Sequence, residues 1–143
     1  MTKDITMLTK KLSLLVDHFT WYEEREILKS KFSDLTIKEY HVIVAIVLSE
    51  KATAKQIADK MQLTPGTLTV TSDRLVAKGY IKRTRDKEDR RVIRIDLTKR
   101  GRDLMEYRDQ MIKKAYESFT EGFSEDDLAR NEKAIDNLIS FLA

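Results

Sequence analysis

Residues 53–97 run TAKQIADKMQLTPGTLTVTSDRLVAKGYIKRTRDKEDRRVIRIDL, and the order of signals in them predicts helix, turn, helix, strand, tip, strand. Thr53 opens the first helix, because its hydroxyl can accept from a free backbone N–H and Gln56 can reach back to complete a capping box. The helix carries Ile57, Ala58 and Met61 and ends at Leu63. Thr64-Pro65 starts the second helix, a cap followed by proline at the one position where a missing N–H costs nothing. That helix runs to Lys78, where Gly79 supplies the positive backbone angle of a helix stop. Two strands follow, Tyr80–Arg85 and Arg91–Leu97, the second alternating Arg91, Ile93, Ile95 and Leu97 against Val92, Arg94 and Asp96. This order of elements is the winged form of a helix-turn-helix.

The side chains suit that order. With Leu68 and Leu75 facing a core and the small Thr71 and Ser72 between them, the second helix turns Pro65, Gly66, Thr67, Thr69, Val70 and Asp73 outward. Together with Thr64 and Arg74 they make a polar, nearly uncharged face. Hydroxyls there suit phosphates or base edges, methyl groups can meet thymine, and Gly66 permits close approach of the backbone. The charge lies next door. From Lys78 to Arg94 eight cations, Lys78, Lys82, Arg83, Arg85, Lys87, Arg90, Arg91 and Arg94, stand against three anions, a local net of +5 that exceeds the +3 of the whole chain. Cations clustered on a hairpin gain affinity from counterion release at phosphates, and an arginine tip, here Arg90, can enter a narrow minor groove. Double-stranded DNA is therefore the expected partner. The alternative is a winged-helix protein-interaction module without DNA binding, since the reading helix carries no exposed cation apart from Arg74.

The flanks are helical. Ile5, Leu8, Leu12, Leu15, Phe19 and Tyr22 recur at helical spacing from Asp4 to about Lys29, with Leu14 and Trp21 widening the apolar arc. Thr36-Ile37-Lys38-Glu39 is a second capping box, ahead of Tyr40, Val44 and Val47. Thr98 caps a long helix to about Glu121, broken at Gly122, and Ser124 opens a last one with three acids in its first turn. The expected fold is mainly α with a small β-hairpin wing: one chain over 1–143, a winged helix-turn-helix over 36–97, and long terminal helices over 1–30 and 99–143. The apolar arcs of those terminal helices exceed what a winged module can cover, so a homodimer is expected to bury them. Lys99, Arg100 and Arg102 crowd a helix N-terminus, where the dipole disfavours each by about 0.3–1 kcal/mol, a cost to be met by solvent screening of exposed side chains or else by wing acids such as Asp96 or by DNA phosphates.

Asp89-Arg90-Arg91-Val92-Ile93-Arg94-Ile95-Asp96-Leu97-Thr98 resembles the wing signature D-x-R-x-x-x-V-x-L-T of the MarR family of transcription regulators, with isoleucine for valine. Leu63-Thr64-Pro65-Gly66-Thr67-Leu68-Thr69, Asp73-Arg74-Leu75 and Lys78-Gly79-Tyr80-Ile81 resemble the same family's recognition helix and following turn. The resemblance implies a homodimeric DNA-binding repressor on a pseudo-palindromic operator, with the terminal helices interwoven. It also implies Arg90 on DNA and Asp89 as a structural acid, paired in our reading with Arg74. Arg85, Lys87 and Arg91 are further candidate contacts. Within the family, Phe32, Asp34, Lys38-Glu39 and His41, together with the reading helix and wing, resemble the FabT-like subgroup of fatty-acid-synthesis repressors. That implies an acyl or small amphipathic effector, with acyl-ACP (acyl carrier protein) as a partner. The candidate ligand pocket is Trp21, Tyr22, Phe32, Tyr40, His41 and Val44.

The chain of 143 residues has no cysteine, which excludes disulfides, thiolate metal sites and thiol redox switches. His18 and His41 beside Asp17, Glu23, Glu24 and Glu26 are too thin a ligand set for a metal. No glycine-rich phosphate loop, His-x-x-x-His pair or Gly-x-Ser-x-Gly turn marks an enzyme, and no cofactor is expected. Without an apolar run of about 18 residues or a signal-peptide pattern at the start, the expected location is the cytoplasm, with no membrane partner.

Overall fold

The structure, a computed structural model, describes residues 2–143, with residues 2 and 3 as backbone only. In chain order it contains α1 (Thr2–Lys29), α2 (Ile37–Val47), α3 (Ala54–Met61), α4 (Pro65–Ala77), β1 (Ile81–Arg85), β2 (Ile93–Leu97), α5 (Lys99–Phe119) and α6 (Glu125–Leu142). This is the expected mainly α chain with a hairpin wing. Two compact units divide it at Arg108, inside α5. The sequence pattern hides this division because α5 runs through it without a break.

In the first unit, residues 1–108, the capping signals act as read. Thr36 accepts from the Glu39 N–H at 3.2 Å while the Glu39 carboxylate accepts from the Thr36 N–H at 2.8 Å, a complete box. At Thr53 only half of the expected box forms: the threonine accepts from Gln56 N, but Gln56 Oε1 accepts from Lys51 N instead. The core gathers Ile27, Phe32 and Leu35 with Tyr40, Ile43 and Ile46 of α2. Ile57 of α3, Leu68 and Leu75 of α4, Ile95 of β2 and Leu104 of α5 complete it.

The hairpin is antiparallel, with Ile81 opposite Leu97 and Arg85 opposite Ile93. Both strands start later than the sequence suggests. Tyr80 lies outside β1 because its N–H is held by Leu75 O at 3.0 Å, in the turn that ends α4. Arg91 and Val92 belong to the tip, where Val92 N bonds Asp89 O at 2.9 Å. The wing is fastened to the α2–α3 connection by Ile95 N on Ala52 O at 2.8 Å and by a bridge between Thr53 and Arg94.

In the second unit, residues 109–143, α5 ends at Phe119, two residues before the expected Glu121. Gly122 turns the chain at φ +82°. Ser124 and Asp127 make a reciprocal box at the start of α6. None of the residues of α6 is buried.

Candidate nucleic-acid interface

The recognition helix presents the face expected of it. Leu68, Thr71, Ser72 and Leu75 are buried, whereas Thr64, Pro65, Gly66, Thr69, Val70, Asp73 and Arg74 are exposed and Thr67 is half-buried. Thr64 caps α4 by accepting from Thr67 N at 3.2 Å. Its hydroxyl donates to Thr67 Oγ1 at 2.8 Å, and Thr69 donates back to Pro65 O at 2.9 Å. These hydroxyls are thereby oriented and keep lone pairs for a further donor. A Cβ added at Gly66 would meet nothing within 4 Å, and its φ is not positive. Neither packing nor backbone demands glycine there.

Wing cations divide into two sets. Arg83 pairs with Asp73, joining β1 to the recognition helix, and Asp73 is thus tied within the chain rather than free toward DNA. Arg94 bonds Asp86 Oδ1 at 3.4 Å and Lys51 O at 3.3 Å, bracing the wing base. Arg85 donates to the Arg90 carbonyl at 2.9 Å and closes the tip. Among the described residues, the side chains of Lys82, Lys87, Arg90 and Arg74 make no hydrogen bond or ion pair, and all four are exposed.

The expected Asp89–Arg74 pair is absent. The Asp89 carboxylate accepts from Arg91 N and Nε, both at 3.1 Å, and from Nη2 at 3.2 Å. A turn brings residues two apart together at little entropic cost, so the local cation wins over one on another element. The Arg91 hydrogen bonds hold the Asp89 carboxyl below its ordinary pKa. Asp89 shapes the tip, and the helix-to-wing tie belongs to Asp73–Arg83. Nothing in the sequence singled out that pair, because both residues sit in runs of mixed charge.

The cations at the start of α5 find partners within the chain other than the expected Asp96. Lys99 pairs with Asp103 at 3.0 Å, and Arg102 donates to Leu97 O at 3.0 Å. Arg100 donates to Lys78 O at 2.6 Å and to Asp34 Oδ1 at 3.2 Å. Each head is thus drawn toward an anion or a carbonyl, which offsets the unfavourable dipole.

The ligand-pocket candidates do not converge. Phe32 and Tyr40 are core residues, each no more than 1% exposed. The Tyr40 hydroxyl donates to Glu23, which also accepts from Arg108 Nε at 2.8 Å. Burial, followed by the Glu23 contact, pushes the Tyr40 hydroxyl well above its ordinary pKa. Trp21 is 57% exposed on α1, with His18 against its ring edge. Tyr22 is half-buried and packs edge-on against Phe19. Only His41 and Val44 line an open groove of about 570 Å³, together with Ile37, Leu48 and Met61, with Lys38 and Lys60 as its cations and with Glu24, 3.5 Å from His41 Nε2, as its anion.

A winged helix-turn-helix with a nearly uncharged reading face and free cations on the wing defines a class of duplex-DNA-binding protein. Comparison with known proteins narrows the class. The sequence model of the MarR family matches residues 35–93. The transcriptional regulator SarZ of Staphylococcus haemolyticus is 33% identical over 128 residues, covering 90% of this chain and 76% of that protein. SarZ of Staphylococcus saprophyticus is 36% identical, covering 71% and 73%. Among solved structures, Streptococcus pneumoniae FabT in complex with DNA superposes with a TM-score of 0.79 at 33% identity, covering 96% of each chain. A MarR family protein from Bacillus stearothermophilus gives 0.80 at 18% identity, covering 99% and 97%, a likeness of fold. The chain belongs to the MarR family, and it is a DNA-binding transcription regulator rather than an enzyme. No helix among the described residues is long and apolar enough to cross a membrane.

Proposed function

We propose that the protein is a cytoplasmic homodimeric repressor of fatty-acid-synthesis genes, binding a pseudo-palindromic operator and answering to an acyl or small amphipathic effector. The observation that carries this reading is the likeness to FabT in its complex with DNA, which extends over 96% of both chains at 33% identity. The α4 face from Thr64 to Arg74 enters the major groove, and Lys87 and Arg90 at the wing tip take phosphates and the minor groove. Arg85 and Arg91, each held by a neighbour in the tip, shape it and contribute charge. Support for two protomers comes from apolar side chains left in solvent, among them Leu8 at 64% and Leu15 at 58% exposed on α1. On α6, Ile139 is 57% exposed.

For the effector, the groove at His41 and Val44 combines an apolar lining with two ammonium groups and one carboxylate, Glu24, a chemistry suited to an acyl chain whose anionic head meets Lys38 or Lys60. Acyl chains carried on acyl carrier protein, acting as corepressor, are the proposed signal. Selection from a genomic-fragment pool at graded salt, with and without long-chain acyl carrier protein, tests both levels. The expected result is a palindrome with half-sites about one helical turn apart, bound more tightly when the acylated carrier is present. A pool from which no site is enriched would favour the protein-interaction module. A selected site indifferent to the acylated carrier would remove the effector and leave the regulator.

A further inference from the structure

We infer that Arg100 is a positioning residue for operator recognition, latching the C-terminal end of α4 to the first turn of α5. The inference rests on the DNA-binding reading and concerns a residue outside both the recognition helix and the wing.

Three successive carbonyls leave the end of α4, and residues 98–100 take all of them. Lys78 O accepts from Arg100 Nη1 at 2.6 Å, Gly79 O from the Thr98 hydroxyl at 2.6 Å, and Tyr80 O from Thr98 N at 3.0 Å. The Arg100 guanidinium lies 4.3 Å from the centre of the Tyr80 ring, and both groups donate to the same Asp34 oxygen, at 3.2 and 2.6 Å. Lys78 adds an ion pair to the buried Glu39 at 2.7 Å. Backbone packing is as close as chemistry allows, since a Cβ placed on Gly101 would stand 2.4 Å from Tyr80 O. The α1–α2 turn, the start of α2, the end of α4 and the start of α5 therefore meet in one polar joint.

The position of this joint matters because α4 is a lever. Its 13 residues span about 20 Å, so a tilt of about 5° at the C-terminal end moves the N-terminal residues by nearly 2 Å. A hydrogen bond to a base edge does not survive that displacement, whereas a flexible cation on a phosphate does. Loosening the joint should thus weaken specific binding and spare non-specific binding. A direct phosphate contact by Arg100, whose side chain is 42% exposed, would weaken both.

The test compares Arg100→Ala, Arg100→Lys and Gly101→Ala with the wild type on the selected operator and on unrelated duplex DNA across a salt series. The expected result is an operator Kd raised about tenfold in all three. Affinity for unrelated DNA and the slope of log K against log salt should stay unchanged. Lysine fails to rescue on this reading because it has neither the planar fork nor the stacking face. Arg100→Lys binding like the wild type, or Arg100→Ala lowering the salt slope by about one and weakening unrelated DNA equally, would overturn the inference in favour of a phosphate contact. Should Arg100→Ala not fold, Asp34→Asn removes the carboxylate beneath the guanidinium and is expected to give the same selective loss; unaltered operator affinity counts against the latch. A wild type that selects no site overturns the functional reading, and the latch with it. A wild type that binds its site no better than the variants do overturns the latch alone.

Discussion

Ala52 and Gly79 both hold a positive φ, +45° and +81°, in surroundings that make opposite demands on them. The Ala52 angle is imposed by the wing, whose Ile95 N–H fastens on the Ala52 carbonyl. A left-handed conformation costs a residue with a Cβ about 1–2 kcal/mol, and glycine gives back roughly half to all of 1 kcal/mol in chain entropy. Ala52→Gly is accordingly expected to leave the urea midpoint equal or slightly higher. Gly79→Ala, with open space around the new methyl group, carries the same cost less the entropy returned and should lower stability by up to about 1.5 kcal/mol; an equal loss in Ala52→Gly would contradict this. On the wing, Arg90 is free while Arg91 is held by Asp89. Arg90→Ala should therefore cut the salt slope of DNA binding by about 0.9 per protomer, with Arg91→Ala cutting it less. Titrations at four salt concentrations separate the two. The Asp89–Arg91 contact also marks a limit of legibility. The family resemblance marked Asp89 as a structural acid, but its partner depended on the path of the tip, which residue types do not specify.

At the level of elements, the starts of α2, α3, α4 and α6 were readable because a cap and the N–H it accepts lie within three residues. The joint at Arg100 was not, because Asp34 and Arg100 are 66 residues apart and only the assembled core brings them together. The capping box of α2 belongs to both ranges, since Glu39 bonds Thr36 locally and Lys78 at a distance. Burial tends to raise the carboxyls of Glu39 and Asp34, yet Lys78 and Thr36 in one case and Tyr80 and Arg100 in the other hold both below their ordinary values. A carboxyl depressed in the fold stabilises above its unfolded pKa and loses that contribution as pH falls through the folded value. Stability is thus expected to be level from neutral pH to about 5 and to fall below about 4. In Asp34→Asn with Glu39→Gln the fall should be shallower and the neutral-pH stability lower. Urea midpoints across that range decide it, and parallel curves would mean that neither carboxylate contributes. Thr36→Ala should cost about 1 kcal/mol through the lost cap.

For the whole molecule, the two units differ in how much they hold together by themselves. The first contains the core, whereas Phe141 and Leu142 of α6 are 84% and 72% exposed. We expect the protein to sediment at twice its 16.7 kDa. The combination Leu8→Glu and Leu12→Glu, both on exposed positions of α1, should sediment as a monomer and lose operator affinity at least tenfold. A wild type that sediments as a monomer at micromolar concentration would contradict the dimer. The apolar stripes behind this expectation were plain in the sequence, since helical spacing exposes them whatever they pack against. That no residue of α6 is buried within its own chain has a further consequence, for the life of the protein in the cell. Until a newly made chain meets its partner, the 18 residues of α6 offer proteases a helix with exposed apolar side chains. Turnover should then fall as expression rises, and a cell could hold a regulator of this build at a threshold abundance by degradation of its unpaired copies alone.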